Sequence, residues 1–114
     1  MPLYNVHITA RDEDDNRTYH LFQLYARKVR LADWPDMQFL VHKDIVDGPT
    51  ATTGEDYSLS EYLTGTNIVR GCYSARDAME LAARKLKAHR DEVPAVLARR
   101  LGTYGYANPK EEKC

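Results

Sequence analysis

Cysteine is scarce in this sequence. Of its 114 residues only two are cysteine, Cys72 inside the chain and Cys114 at its end, and neither has the spacing of a metal site or a redox pair. Disulfide scaffolds and structural zinc sites need several closely spaced thiols. This usage is typical of a reducing compartment, so we expect a cytoplasmic protein.

Long hydrophobic runs are also missing. Nowhere do about 18 consecutive apolar residues occur, the length that a membrane-spanning helix needs, and the Met1-Pro2-Leu3 start has no basic segment of the kind that opens a signal peptide. The net charge is -1 and the mean hydropathy is -0.60. We therefore expect no membrane partner and a single domain with its own hydrophobic core.

The motifs of common active sites are absent as well. The sequence has no glycine-rich phosphate loop, Gly-x-Ser-x-Gly, His-Glu-x-x-His or Cys-x-x-Cys. Its four histidines never stand two, three or four residues apart, although three of them can meet across neighbouring strands. Cys72 precedes a predicted helix, where the helix dipole can lower a thiol pKa, but no local base signature accompanies it. We predict no enzyme, no catalytic, metal or cofactor residues, and no small-molecule substrate.

What the sequence does contain is a series of β-rich segments. Alternating apolar and polar residues, or Thr, Tyr and Phe enrichment, favour strands in five segments: Pro2–Ala10, Arg17–Ala26, Met37–Lys43, Tyr57–Leu63 and Thr66–Arg70. A helix is the alternative for the second segment, because Leu21, Tyr25 and Val29 also fit a helical period. Residues 47–55, rich in Thr and carrying Pro and Gly, predict a surface loop.

The best local signals surround the last two strands. Gly65 stands between them and favours a tight hairpin turn. Ser74, three residues before Asp77, predicts a capped helix start, with Tyr73 and Ala78 placed as a hydrophobic staple. The apolar stripe of this helix consists mainly of small residues, so we expect it to lie close to the sheet; its members are Ala75, Ala78, Met79, Ala82 and Leu86.

A second helix should follow His89. Asp91 can cap it, Pro94 fits its first turn and Gly102 should lie just past its end. The predicted fold class is α+β, a mostly antiparallel meander of about five strands followed by two C-terminal helices. We expect residues 1–107 to form the domain and 108–114 to be a flexible tail.

The predicted sheet is apolar on both faces. We assign one face, toward the first helix, to Tyr4, Val6, Ile8, Leu21, Phe39, Val41 and Leu59; the other holds Leu3, His7 and Tyr62 with five candidate partner-binding residues, His20, Phe22, Leu24, Leu40 and His42. Such a face needs a cover. We therefore expect a non-enzymatic interaction protein that binds a protein partner or forms a homodimer, with a viral or mobile-element accessory inhibitor of a host system as one form.

Charge is divided unevenly along the chain. Residues 1–60 carry six Lys/Arg and ten Asp/Glu, whereas residues 61–114 carry ten and seven, so the two halves have net charges of -4 and +3. Basic and aromatic side chains that can contact phosphates and bases cluster in the second half; they are Arg84, Lys87, Arg90, Arg99, Arg100, Tyr104 and Tyr106. A nucleic-acid-binding regulator that uses these C-terminal helices is therefore the alternative function.

Overall fold

Five strands precede two helices in this protein. A computed structural model of the chain describes residues 2–11, 14, 17–46 and 52–109. Its elements are β1 (Leu3–Arg11), β2 (Arg17–Val29), β3 (Phe39–Val46), β4 (Thr52–Glu61), β5 (Asn67–Cys72), α1 (Ala75–Ala88) and α2 (Val93–Tyr104). The strands form one sheet in the order β1-β2-β3-β4-β5, and every neighbouring pair is antiparallel. The predicted α+β fold class is confirmed.

The segment for which a helix was the alternative is a strand throughout. β2 is 13 residues long and pairs with β1 along Arg17–Tyr25. Its last residues, from Ala26 to Val29, pair with β3 instead. Because each part of β2 has a partner strand for its backbone groups, β2 stays extended despite the helical spacing of its apolar residues.

Predicted boundaries were wrong at the start of β4 and at both ends of α2. β4 begins at Thr52, so residues 52–55 of the predicted loop are strand, while 47–51 lie outside the described residues. In α2, Gly102 lies within the helix, and Glu92, rather than Asp91, is the N-cap, without a side-chain bond. The helix ends at Gly105, whose N–H still donates to Leu101 O at 2.8 Å and whose φ of 74° turns the following chain away from the helix axis. A positive φ of this kind favours glycine and explains why the helix stops there.

The helix start at Ser74 is confirmed. Its hydroxyl accepts a hydrogen bond from Asp77 N at 3.1 Å, which satisfies one of the free N–H groups of the first turn. Tyr73 is 90% exposed, so it does not form the predicted staple. The small side chains of Ala78 and Ala82 are fully buried, and they let α1 lie close to the sheet.

The first hydrophobic core lies between α1 and the sheet. Phe39, Val41 and Leu59 belong to it, as predicted, and Ile68 and Leu86 complete its centre. Phe39 and Leu59 have no exposed surface at all. Burial of side chains of this size contributes about 1.5–3 kcal/mol each, so this cluster is a main source of stability.

A second core lies on the opposite side of the sheet, and the chain builds it from its own strands. Val6 and Leu24, on β1 and β2, pack with Leu40 and Tyr62 of the β3–β4 half. The outer edge of β1 also meets the turn after β4, where His7 N donates to Gly65 O at 2.9 Å. The sheet is thus curled, and the β1–β2 hairpin covers the face that α1 leaves open.

This curl overturns the predicted face of β1. Tyr4 and Val6 stand directly opposite Leu24 and Phe22 in the register, and directly opposed residues share a face. They therefore lie in the second core, not beneath α1, and Val6 is 1% exposed. Leu21, also assigned to the α1 face, is 52% exposed, and the side chain of Ile8 lies outside the described part.

Residues after α2 fasten β1 to the end of β4. The side chain of Asn108 accepts from Asn5 N through Oδ1 at 2.8 Å, and its Nδ2 donates to Asn5 O at 2.8 Å and to Tyr62 O at 2.7 Å. Tyr62 in turn donates its hydroxyl proton to Pro109 O at 2.8 Å. Asn108 is 3% exposed, so the folded domain extends beyond residue 107, whereas residues 110–114 lie outside the described part.

Candidate functional site

The predicted partner-binding residues occupy the second core or its border. Leu24, Leu40 and His42 are 5%, 0% and 4% exposed, so the chain itself covers them. Phe22 is half-buried against the same core, and His20 is exposed. The alternation along β2 does place three of the five on one face, as predicted, but that face points inward. A partner can reach His20 and the exposed part of Phe22 without opening the fold.

Hydrogen bonds inside the fold hold the side chain of His42. Its Nδ1 lies 2.7 Å from Lys43 O, and because a carbonyl oxygen only accepts, Nδ1 carries the ring proton. Nε2 then accepts from the hydroxyl of Ser60 at 2.8 Å. Burial lowers the pKa of His42, against the opposing effects of the Lys43 carbonyl and the Asp44 carboxylate. The ring is thus held neutral, with both nitrogens satisfied.

The histidines that could have met across strands stand apart. In the register His7 is opposite Leu21, His20 is opposite Ile8 and His42 is opposite Ala26. Since neighbouring residues of a strand point to opposite faces, His7 and His20 lie on different sides of the β1–β2 hairpin. Within the described ranges, no three His, Cys, Asp or Glu side chains come together in a group that could hold a metal ion.

The Cys72 thiol is not activated by the helix that follows it. The residue is 7% exposed, and its Sγ lies 3.8 Å from Arg70 O. Burial raises the thiol pKa, and the carboxylates of Asp44, Asp77 and Asp56 raise it further. The pKa change is thus opposite to the lowering that the helix dipole favours. Cys114 lies outside the described residues.

An exposed apolar cluster covers the outer side of the β1–β2 hairpin. Leu3 is opposite Tyr25 and His7 is opposite Leu21, so these four side chains share that face. Leu3, Leu21 and Tyr25 are 47%, 52% and 64% exposed. Tyr104, at the end of α2, extends the cluster, with its ring centroid 5.4 Å from that of His7. We call these five residues the outer face.

Sequence reasoning missed the outer face because it had no register. Leu3 and His7 were assigned to the same face as Leu24, whereas pairing places them on the other side of the hairpin. A signal was present: Leu21 and Tyr25 alternate with Phe22 and Leu24, so both faces of β2 are apolar. Deciding which face of β2 packs into the second core requires knowledge of the long-range contacts.

The predicted nucleic-acid residues have several different environments. Tyr104 packs on His7, and the Arg90 guanidinium lies 5.7 Å from the centre of the Trp34 ring. Tyr106 is 53% exposed. The remaining four basic residues, of which Arg100 is half-buried, lie on the two helices: Arg84, Lys87, Arg99 and Arg100.

Two of those residues do belong to a continuous basic strip. Arg84 lines a groove together with Arg70 and Lys85, and Lys85 and Arg100 line a second groove between α1 and α2. We call Arg70, Arg84, Lys85 and Arg100 the basic strip. Among the described residues that line the two grooves, the single acidic one is Glu92, which pairs with His89 at 3.5 Å.

A cavity of about 590 Å³ lies beneath α2. Its walls are largely apolar, and Glu61 and Trp34 contribute buried polar atoms. The Glu61 carboxylate accepts hydrogen bonds from the backbone N–H groups of Leu63 and Thr64. Burial raises the pKa of Glu61, and these hydrogen bonds lower it in part. The Trp34 indole Nε1 is buried and has no hydrogen-bond partner among the described residues.

The helices were also compared with what a membrane span requires. Neither α1 nor α2, nor any other helix in the described part, is long and apolar enough to cross a bilayer.

Compared with protein-family models, curated proteins and solved structures, the chain gives no significant match. Evidence about function therefore comes from its own surfaces and cavities.

Proposed function

We propose that this protein is a non-enzymatic interaction protein, which binds a second copy of itself or another protein through the outer face. The observation that carries the proposal is the exposure of Leu3, Leu21 and Tyr25 on one face of the paired strands β1 and β2, where the Asn5–Gln23 pair lies between Leu21 and the other two. Apolar clusters on the surface of a folded domain often mark interfaces, and tyrosine is enriched in them. The proposed binding surface is thus the outer side of the β1–β2 hairpin, whereas the residues predicted from sequence lie on the side that faces the second core.

Self-association is the form of binding to be tested first. At micromolar concentration, light scattering after size exclusion should give a mass above that of the 13.1 kDa chain. Tyr25→Ser should weaken the association constant by about tenfold or more, the cost expected at a central aromatic contact. Tyr73→Ser is the matched control, because Tyr73 is 90% exposed but lies beyond β5, away from the outer face.

Binding to another protein is tested with the same variants. A pull-down from host extract with the wild type should retain a partner that Tyr25→Ser loses and Tyr73→Ser keeps. An accessory protein of a virus or mobile element that inhibits a host system is one such case, and loss of inhibition in the Tyr25 variant would accompany loss of binding. A monomeric wild type that retains no partner would refute the proposal, as would equal effects of the two substitutions.

A second candidate function is nucleic-acid binding, which the basic strip favours. Arg70, Arg84, Lys85 and Arg100 line adjoining grooves that contain little negative charge. Lysine and arginine side chains arranged along a groove contact phosphates, and each contact releases counterions from the nucleic acid. Tyr104, one of the two tyrosines predicted to stack on bases, packs on His7.

Fluorescence anisotropy with labelled single-stranded DNA, duplex DNA and RNA tests this candidate. Affinity should fall between about 50 and 200 mM salt, with a slope of about -0.7 to -0.9 for each phosphate contact. Arg84→Ala should reduce this slope by about one contact, and Arg99→Ala with Arg100→Ala should weaken binding further. Arg76→Ala is the control on α1, because Arg76 pairs with Glu80 at 3.3 Å and lies outside the strip. No binding at low salt would exclude this function.

A further inference from the structure

The packing of α2 leaves space beneath the helix. The structure describes the whole of α2. Val93 is the only buried residue of this helix, and Leu97 and Leu101 are half-buried. These two leucines and Pro94 form one wall of the cavity of about 590 Å³, and Met37 and Leu63 belong to the opposite side. A volume of about 300–1,000 Å³ with mostly apolar walls is usual for sites that bind small molecules.

Glu61 places a buried carboxylate in this wall. The residue is 4% exposed, and its oxygens accept from Leu63 N and Thr64 N. In the part of the chain that the structure describes, no Lys, Arg or His forms an ion pair with it. A carboxylate has about four lone-pair positions, so it can accept a further donor. A buried charge without a counter-charge is costly, and a cationic ligand would relieve that cost.

The remaining polar groups are consistent with a ligand of one positive charge. Arg30 and Asp36, which also line the cavity, are both exposed and carry opposite charges. Arg30 already donates to Pro35 O at 2.9 Å. Glu61 is thus the buried ionisable group of the lining, and among the described residues hydrogen-bond donors contact its carboxylate but no cation does. The Trp34 indole N–H is also buried, with no partner in the described part of the chain, and it can donate to any acceptor atom that the ligand carries.

We propose that the cavity beneath α2 binds a small organic ammonium ion with an apolar body, whose amino group donates to the Glu61 carboxylate. The apolar body lies against Leu97 and Leu101 of α2. This site is separate from the outer face and the basic strip, so it does not depend on either proposed function. It assigns a ligand class to a region in which the sequence shows no substrate motif.

Trp34 makes the proposal directly measurable. It is the only tryptophan of the sequence and it lines the cavity, so its fluorescence reports on ligand binding there. The probe is 2-phenylethylamine, and 2-phenylethanol is the neutral compound of nearly the same shape. The amine should bind at about millimolar concentration, as expected for a fragment of this size, and about tenfold or more tightly than the alcohol, since a charge-assisted hydrogen bond is about twice as strong as a neutral one.

Variants locate the site and the charge preference. Glu61→Gln should abolish the difference between amine and alcohol while the alcohol still binds. Ala98→Met, on the cavity side of α2, should weaken both probes by about tenfold, because a steric intrusion removes contact area. Ala95→Met, on the same helix but not in the cavity lining, should change neither. Circular dichroism checks that each variant is folded.

Several outcomes would overturn the proposal. These are no change in Trp34 fluorescence at about 10 mM amine, well above the expected dissociation constant, equal affinities for amine and alcohol, or an amine preference that survives Glu61→Gln. If Glu61→Gln does not fold, the pair Ala98→Met and Ala95→Met still decides. Equal effects of these two substitutions on binding would place the probe elsewhere.

Discussion

Replacement of Leu40 by alanine tests whether the chain covers its second core by itself. Leu40 has no exposed surface and packs with Val6, Leu24 and Tyr62. The substitution removes three carbon atoms, worth about 0.8 kcal/mol each, or about 2.4 kcal/mol in transfer free energy. The cavity left behind adds about 1 kcal/mol, because packed neighbours relax only in part. We expect the free energy of unfolding to fall by about 3–4 kcal/mol.

Urea unfolding followed by circular dichroism measures this loss. At a slope of about 1.5 kcal/mol per M, the midpoint should fall by about 2 M. Leu81→Ala is the matched control, since Leu81 is 39% exposed on α1, outside both the second core and the outer face, and it should cost about half as much as Leu40→Ala or less. The difference between wild type and Leu40→Ala should be the same at all protein concentrations, because the core lies within one chain.

A small effect of Leu40→Ala would refute this reasoning. If the loss is below about 1 kcal/mol, outside the range observed for buried leucines, the side chain is not in a packed core. If the loss grows with protein concentration, the wild type buries Leu40 against a second molecule instead. Either result would restore the inward-facing residues as a docking surface.

Two further substitutions give sharp expectations. Gly65→Ala should lower the free energy of unfolding by about 2 kcal/mol or more in urea unfolding, because φ is +70° and the new methyl would lie 2.8 Å from His7 N. Gly105→Ala is the control, since its φ is +74° but the new methyl would meet open space, and it should cost about 1 kcal/mol. Equal losses in the two variants would contradict the close approach of Gly65 to β1. Burial lowers the pKa of His42, so protonation favours the unfolded chain. Stability should therefore hold above the ordinary histidine pKa of about 6.5 and fall as pH drops through the lowered pKa, whereas His42→Gln should lose less between those limits in unfolding measured at several pH values.

Features with a local cause were predictable from sequence. Gly65 adopts the positive φ that its position between two strands indicates, and Ser74 caps α1 through the expected hydrogen bond. Both depend on residues close in the chain. The boundary of α2 was harder because two glycines compete, and Gly102 stays helical while Gly105 ends the helix. Asn108, beyond Gly105, donates to Asn5 O and Tyr62 O, so long-range contacts favour an end of the helix at the second glycine.

The arrangement of the faces required information that alternation does not contain. A period of two predicts that Val6 and Leu24 each face one side of a strand, but only the register says that they face the same side. The curl of the sheet then decides whether that side is open or covered. For the same reason Glu61 and Trp34, 27 positions apart in the sequence, gave no sign that they line one cavity.

The amide side chain of Asn108 has a consequence for how the protein avoids joining its neighbours. Asn5 directs both its N–H and its C=O away from β2, and Asn108 pairs with both, as an adjacent strand would. An edge strand with unpaired backbone groups is a template for another chain. One amide thus imitates a neighbouring strand at Asn5 and keeps this part of the sheet edge from pairing with a strand of another molecule.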